Sequence, residues 1–408
     1  MSAGAAPGAG AREGLLLAAL AGVQFSQILD FMILMPLGAQ LMRLFGITPT
    51  QFGLLVSVYT FAAALMGFMA ALVVDRFDRR TTLIVLYACF GATTLVAATA
   101  QSYAWLLGAR AAAGAFGGVL GATVFAIVGD AIPEARRGRA LGVVMSAFAV
   151  ASIAGVPIAL YLAGRFGWRA PYFMLTALAV AISALIAIAV PRVRGHVASA
   201  RARRPLAGLA AVFGRASHRR TLAFTALVTL SGFLVVPFVA PYLVLNVGVS
   251  DRDLPIVYFV GGIATFFFVR RVGGMADRHG RHPVFAAVAA LSAVGILVTT
   301  HLPPLPLWAA TIAAVYFMAT LSGRFVPAMA IITSAVAPAV RGSFMSFNAA
   351  VQQLAAGIAS FAASTLVGTD AAGRLTHYGT AGLASVAAIA AAIALARTIH
   401  RAPGAEGG

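Results

Sequence analysis

The sequence contains no lysine, a single cysteine and only 11 acidic residues among 408. One cysteine, Cys89, excludes a disulfide framework, and no Cys/His cluster has the spacing of a metal site. Without lysine the ATP-binding pattern Gly-x-x-x-x-Gly-Lys cannot occur, so ATP is not expected as an energy source. No other cofactor and no metal ion is expected.

Charged residues are also scarce, and apolar residues replace them. Charged residues make up 10% of the chain, against roughly 25% in soluble proteins, while 61% of the residues are hydrophobic. Runs of about 20 apolar residues cross a bilayer as helices. The sequence therefore predicts an all-α membrane protein with twelve transmembrane helices. The predicted spans are 14–38, 50–74, 80–101, 104–129, 139–164, 169–191, 220–246, 253–274, 283–301, 305–336, 343–368 and 378–397.

The formal net charge is +18, and the arginines are concentrated on one side of the predicted helices. Arginine-rich loops stay in the cytoplasm, so both termini are predicted to lie there, in a multi-pass protein of the bacterial inner membrane. This topology explains the charge without nucleic acid as a partner. The expected partner is the lipid bilayer; a monomer is expected, although the sequence leaves the oligomeric state open.

Several motifs occur twice, once in each half of the sequence. "DRFDRR" begins at Asp75 and "DRHGRH" begins at Asp277, and Pro36 and Pro241 are separated by nearly the same interval. "TPTQ" at 48–51 has the form of a helix capping box, and "SDRD" at 250–253 is predicted to repeat it. We therefore predict two pseudo-symmetric six-helix bundles, 1–191 and 221–408, joined by a basic cytoplasmic linker, 192–220.

These motifs resemble those of the major facilitator superfamily along the whole chain. "ALVVDRFDRR" and "GGMADRHGRH" are similar to the family's loop signature, although Ala71 and Asp78 stand where the family prefers glycine. "RAAAGAFGG", which contains Arg110, resembles a pattern of the fourth helix. "GVP", with Gly155 and Pro157, is similar to the antiporter motif of the fifth helix. "LDFMILMPLGAQL" resembles the first helix of the twelve-helix drug:proton antiporter branch.

This resemblance implies a secondary active transporter, not an enzyme. Its implied activity is proton-coupled, multidrug-type efflux of small organic molecules, such as drug-like compounds, sugars or metabolites, by alternating access. The alternative is an importer, symporter or facilitator of a small metabolite such as an organic anion.

The repeated loop motifs are predicted to latch the cytoplasmic side shut in one state. Helix N-termini carry about half a positive charge, which attracts carboxylates. Asp75 is expected to bind the start of helix 11 near Arg341, and Asp277 the start of helix 5. Helix capping with simple charge orientation is the competing interpretation. The predicted latch comprises Asp75, Arg76, Arg79, Asp277, Arg278, Arg281 and Arg341.

Asp30 is the acidic residue that lies deep inside a predicted span. A charge at the membrane centre costs about 2.5–3.5 kcal/mol on insertion scales, which makes Asp30 a functional candidate. Gln27 lies one turn earlier on the same helix face. Two interpretations compete: Asp30 exchanges a proton for substrate, or it is a permanent counter-ion of Arg110.

The second half carries different polar residues in its spans. Arg324 in helix 10 has no counterpart in the first half, where Leu120 stands. Asn348 and Gln352 are four residues apart in helix 11 and can face one cavity. We expect Gln27, Arg324, Asn348 and Gln352 to line the substrate cavity, with interhelical hydrogen bonding as the competing interpretation.

Overall fold

The computed structural model describes residues 9–73, 77–191 and 215–400. Within these ranges twelve helical spans are long and apolar enough to cross a membrane, which confirms the predicted number and the all-helical class. We refer to them as spans 1 to 12 in chain order. Many large apolar side chains remain exposed on the outside of the bundle, as expected for a surface that faces lipid tails.

Spans 1 to 6 lie before the basic segment. Their helices are α1 (Ala9–Ile33), α3 (Pro49–Val73), α4 (Arg79–Ala98), α5 (Tyr103–Ala131), α6 with α7 (Glu134–Val150 and Val156–Phe166) and α8 (Ala170–Ala189). A short helix, α2 (Gly38–Phe45), follows span 1.

Spans 7 to 12 follow the basic segment. Their helices are α9 with α10 (Ala216–Phe233 and Val236–Tyr242), α11 (Leu254–His279), α12 (Arg281–Thr300), α13 with α14 (Leu307–Gly323 and Phe325–Ser334), α15 (Pro338–Leu366) and α16 (Tyr378–Ala396). A hairpin of two short strands, Gly368–Thr369 and Leu375–Thr376, joins the last two spans. Helix α9 begins four residues before the predicted end of the linker. The linker from 192 to 214 lies outside the described residues, and the division into two bundles at these boundaries stays a prediction.

Several spans are interrupted helices. Span 1 ends at Ile33, and the chain turns around Pro36 before α2 begins at Gly38. Span 5 makes a wide π turn over Ala151–Gly155, immediately before Pro157. Proline has no N–H to complete the α-helical ladder, and this turn accommodates the missing bond. Spans 7 and 10 also break, at 234–235 and at Arg324.

The connections lie on two faces. Arg169 Nη2 donates to Ala100 O at 2.7 Å, which joins the loops after spans 5 and 3. We call this side the distal face. Arg136 pairs with Glu13 at 2.6 Å, which joins the starts of spans 5 and 1 on the opposite side. We call that side the terminal face.

One predicted capping box is confirmed and the other is wrong. Gln51 N donates to Thr48 Oγ1 at 3.3 Å, and Thr48 N donates to Gln51 Oε1 at 2.9 Å. Helix α11 begins only at Leu254, so Asp253 and not Ser250 occupies its N-cap position, and Asp253 makes no side-chain cap bond. Ser250 Oγ instead accepts a 3.2 Å bond from Arg252 N. Asp78, where the family prefers glycine, caps α4 by accepting a 3.0 Å bond from Thr81 N.

The two halves meet at the distal face. Arg43 before span 2 forms an ion pair with Asp251 before span 8. Thr50 Oγ1 donates to Ser364 O at 2.9 Å, which joins the start of span 2 to the end of span 11. A Cβ atom placed on Gly53 would lie 2.1 Å from Ser364 Cβ, so this glycine permits the close approach of the two helices.

Candidate functional site

A buried ion pair joins spans 1 and 4. Arg110 Nη1 donates to Asp30 Oδ2 at 2.8 Å and to the main-chain oxygen of Asp30 at 3.2 Å. The two side chains are 0% and 1% exposed, respectively. The structure therefore brings together the two residues predicted for coupling. Their contact fits both the proton-exchange and the counter-ion interpretation.

Aromatic rings connect this pair to the other half of the molecule. The Arg110 guanidinium carbon lies 4.4 Å from the centre of the Tyr59 ring, close enough for a cation–π contact. The Tyr59 ring is 5.2 Å from Phe31, and Phe31 is 5.9 Å from Phe233 in span 7. Two aromatic rings, those of Tyr59 and Phe31, therefore connect the ion pair to Phe233 in the other half.

The surrounding residues do not satisfy all the hydrogen-bonding atoms of the pair. In the described part of the chain, Asp30 Oδ1, Arg110 Nε, Arg110 Nη2 and Tyr59 OH are buried without a hydrogen-bond partner. A buried polar atom without a partner costs about 1–3 kcal/mol. These four atoms are therefore available to a proton, water or a substrate group.

Gln27 contributes a second group of such atoms one turn away. Its Nε2 donates to Gly117 O at 2.5 Å, whereas its Oε1 has no partner among the described residues, and the same is true of Gln24 Oε1. A Cβ atom placed on Gly121 would lie 3.7 Å from both of these oxygens. The glycines of span 4 thus leave room beside two buried acceptors. Gln24 was missed by the sequence reasoning, although its polarity within an apolar run was a usable signal.

Glycine also sets the spacing of spans 2 and 4. Cβ atoms placed on Gly114 and Gly118 would lie 2.2 Å from Tyr59 O and 2.4 Å from Ala63 O. These backbones approach as closely as small residues allow, so the glycine run serves the packing of spans 2 and 4.

Gly155 and Pro157 occupy the bend of span 5. A Cβ atom placed on Gly155 would lie 3.1 Å from Phe25 and 3.2 Å from Leu29 of span 1. The motif therefore shapes the contact between spans 5 and 1 beside the helix that carries Asp30.

Asn348 and Gln352 do not have equivalent surroundings. Asn348 is buried, and its Oδ1 accepts a 2.6 Å bond from Thr225 Oγ1 of span 7. This contact supports the interhelical hydrogen-bonding interpretation for Asn348. Gln352 is partly buried, and its Nε2 is 4.0 Å from Met329 Sδ. Its carboxamide is the freer of the two for a substrate.

Arg324 lies at the break of span 10 and is 1% exposed. Its Nη1 donates to Ser292 Oγ at 3.1 Å and its Nη2 to Val228 O at 3.3 Å. Neither partner was predicted from the sequence, because the pairing of spans 7, 9 and 10 depends on tertiary packing.

The latch residues are described only in part. Asp75 and Arg76 lie outside the described residues. Arg79 Nε is 3.1 Å from Asp130 Oδ2, so this arginine joins spans 3 and 4 within one half. Asp277 and Arg278 are exposed on the terminal face.

The remaining latch residues and the start of span 5 make local contacts. Arg281 Nη1 donates to Ala330 O at 2.8 Å, and Arg341 Nη2 lies 3.5 Å from Val336 O. Arg137, near the start of span 5, donates to Ile132 O at 3.0 Å. Span 11 begins at Pro338, so Arg341 lies in its first turn. The latch therefore stays a prediction.

Twelve apolar spans, several of them interrupted, with a buried ion pair between two of them, define a multi-pass membrane protein. A family model described as Major Facilitator Superfamily matches residues 20–360, and the chain belongs to this family. No group of three or more potential metal ligands occurs within the described ranges.

Relatives and solved structures agree with this assignment. The chain is 26% identical over 302 residues to a chloramphenicol resistance protein of Streptomyces lividans, covering 73% of this chain and 76% of the relative. It is 29% identical over 276 residues to a "Probable 4-methylmuconolactone transporter" of Cupriavidus pinatubonensis, with coverage of 64% and 62%. A crystal structure of a D-xylose-proton symporter superposes with a TM-score of 0.73 at 17% identity, covering 97% and 99%.

The matches to curated relatives are partial. The chain spans 66%, 62% and 52% of the length of the first three such relatives. The family and the fold follow from these comparisons.

Proposed function

We propose that this transporter exports small organic molecules, such as drug-like compounds, sugars or metabolites, in exchange for protons by alternating access. The observation that carries the proposal is the buried pair of Asp30 and Arg110, joined at 2.8 Å and left with unpartnered polar atoms. A carboxylate in a membrane interior is costly, which favours its use in proton transfer.

Protonation of Asp30 would change the contact between spans 1 and 4. The neutral carboxyl group loses its charge attraction for Arg110, while the main-chain bond at 3.2 Å and the Tyr59 ring still hold the guanidinium. The freed guanidinium donors then become available to a substrate or to water. Because Tyr59 and Phe31 lead to Phe233, this rearrangement can reach the other half.

The conformer supports the alternating-access part of the proposal. The ion pair between Arg43 and Asp251 and the bond from Thr50 to Ser364 close the distal face. We place that face outside the cell, and the terminal face with both chain ends in the cytoplasm of a bacterial inner membrane. The latch around Asp75 and Asp277 would form in the opposite state, when the terminal face closes. The protein is expected to act as a monomer.

Efflux is supported by the similarity to a "Probable sugar efflux transporter" of Mannheimia succiniciproducens and to the chloramphenicol resistance protein. A second candidate function, proton-coupled uptake of a small organic anion, is favoured by one observation: the buried Arg324 has no carboxylate partner among the described residues.

Proton movement on substrate binding tests the proposal. Purified protein in weakly buffered detergent solution is mixed with cationic, neutral and anionic compounds, and the pH change is recorded for the wild type and for Asp30→Asn. Proton release that disappears in Asp30→Asn supports exchange at Asp30.

Asp370→Asn, in the turn of the hairpin between spans 11 and 12, is the matched control, because it removes an exposed carboxylate outside the predicted latch and should leave the signal unchanged. Binding without proton movement in any variant would reduce Asp30 to a fixed counter-ion of Arg110. Proton uptake with the anionic compounds would support the second candidate function.

A further inference from the structure

Three arginine side chains are buried among the described residues, and they differ in their partners. Arg79 lies 3.1 Å from a carboxylate oxygen of Asp130, and Arg110 lies 2.8 Å from one of Asp30. Arg324 has no carboxylate oxygen within 4.0 Å in the part of the chain that the structure describes. Its positive charge is therefore uncompensated by an ion pair.

The partners of Arg324 are neutral and do not use all its donors. One hydroxyl group, from Ser292, and one main-chain oxygen, from Val228, accept bonds from the two Nη atoms. The Nε atom is buried without a partner among the described residues. A guanidinium has five N–H donors, so more than half of them remain for a further acceptor.

The cost of this burial points to an anion. Ionisable groups within membrane spans are expensive, and they pair with an opposite charge or mark a substrate pathway. Neutral hydrogen-bond acceptors satisfy the donors of a guanidinium but leave its charge in a low-dielectric surrounding. An anionic group that binds there supplies both the missing acceptor and the missing charge, and a guanidinium binds carboxylates in a bidentate geometry.

The surrounding backbone places Arg324 close to the contact between the halves. A Cβ atom placed on Gly232 of span 7 would lie 3.4 Å from Arg324 Nη2, so the guanidinium rests against that helix. The next residue, Phe233, contacts Phe31 across the interface at 5.9 Å. Span 7 breaks directly after Phe233, and span 10 breaks at Arg324 itself. The guanidinium therefore lies beside the part of span 7 that contacts the other half, where spans 7 and 10 are both interrupted.

We propose that Arg324 binds the anionic group of the transported substrate and that small organic carboxylates are therefore the substrate class. The inference rests on the proposed transport function in its second form, proton-coupled uptake of a small organic anion, because a bound anion and a proton on Asp30 favour each other. A bound inorganic anion such as chloride has the same charge chemistry, and the experiment below separates the two sources.

The first arm uses the wild-type protein. Thermal unfolding is followed in detergent by intrinsic tryptophan fluorescence during titration with acetate, benzoate, succinate, chloride or benzamide. A ligand that binds only the folded state raises the unfolding temperature progressively, because the stabilisation grows as RT ln(1 + [L]/Kd). We expect at least one carboxylate to do so, whereas benzamide, the neutral counterpart of benzoate, does not. The inference is overturned if no carboxylate stabilises the protein, or if chloride alone does.

The second arm compares three variants by the same titration. Arg324→Gln should weaken carboxylate binding about tenfold or more, because it removes the charged partner. Arg324→Lys keeps the charge but loses the bidentate geometry, so its affinity should lie between those of the wild type and the glutamine variant. Ser292→Ala is the matched control, because it removes a partner of Arg324 and leaves the charge in place.

A purely structural role for Arg324 predicts a different pattern. Ser292→Ala and Arg324→Gln would then both lower the unfolding temperature, and neither would change the affinity for carboxylates. If Arg324→Gln does not fold, carboxylate affinity in Arg324→Lys equal to that of the wild type overturns the inference. Carboxylate binding without proton movement would support the Arg324 site but reject proton coupling. Failure of the inference and failure of the proposed function are therefore distinguishable.

Discussion

Removing both charges of the Asp30–Arg110 pair should destabilise the protein less than the two single removals added together. Each side chain is at most 1% exposed, so a remaining charge cannot be solvated by bulk water. The relevant variants are Asp30→Asn, Arg110→Gln and the double variant. In the double variant two neutral amides occupy the site, and they can bond to each other.

The magnitude follows from the burial of the pair. Breaking a buried ion pair by removing one partner costs about 3–5 kcal/mol. A neutral interhelical hydrogen bond in a membrane is worth only ~0.6 kcal/mol on average. Arg110→Gln leaves a carboxylate whose Oδ1 already lacks a partner among the described residues, so we expect it to lose about 3 kcal/mol. The loss in the free energy of unfolding of the double variant should be smaller than the summed losses of the two single variants, by about 2 kcal/mol or more.

The assay is a double-mutant cycle on the free energy of unfolding, measured by titration of detergent-solubilised protein with dodecyl sulfate. The control cycle uses Arg43 and Asp251, whose side chains are 50% and 26% exposed. Exposed pairs are worth about 0–1 kcal/mol, so this second coupling energy should be small. Losses at Asp30 and Arg110 that add to within about 0.5 kcal/mol would refute the reasoning, because residues that act independently show such additivity.

Two further predictions concern glycines at helix contacts. Gly114→Ala should lower the free energy of unfolding by about 1–3 kcal/mol, because the new Cβ would lie 2.2 Å from Tyr59 O; Gly108→Ala on the same helix meets nothing within 4 Å and should not destabilise. Gly53→Val should open the distal face, since a Cβ there lies 2.1 Å from Ser364 Cβ. A cysteine introduced by Ser364→Cys should then react faster with a membrane-impermeant maleimide, and an unchanged rate would count against the proposed closure.

Much of the fold was accessible from the sequence because hydropathy is a local property. A helix that crosses lipid must be apolar along its length, so twelve such runs could be counted before any contact was known. The capping box at Thr48 is equally local, since both of its bonds join residues three positions apart. The prediction of a second box at Ser250 and Asp253 failed because the start of α11 was placed too early: the helix begins at Leu254, and Ser250 lies three residues before the N-cap position.

The partners of the polar residues were less predictable, because they come from different helices. Asp30 and Arg110 could be proposed as a pair since oppositely charged groups within a membrane tend to associate. Asn348 was expected in the cavity, yet its oxygen accepts a bond from Thr225, 123 positions earlier in the chain. No spacing in the sequence indicates which helix face will meet which, so such hydrogen bonds become visible only with the packing.

The distribution of buried charge between the halves bears on the direction of coupling. The Asp30–Arg110 pair is neutral as an ion pair and becomes positive when Asp30 takes a proton, whereas Arg324 carries its charge alone. An anion at Arg324 lowers the total buried charge by one, and a proton on Asp30 restores it. Electrostatics therefore makes anion binding and protonation favour each other, and makes a bound cation oppose protonation. Substrate-induced proton release would thus indicate cationic or neutral cargo exchanged for protons, while proton uptake with a carboxylate would indicate that proton and anion move together.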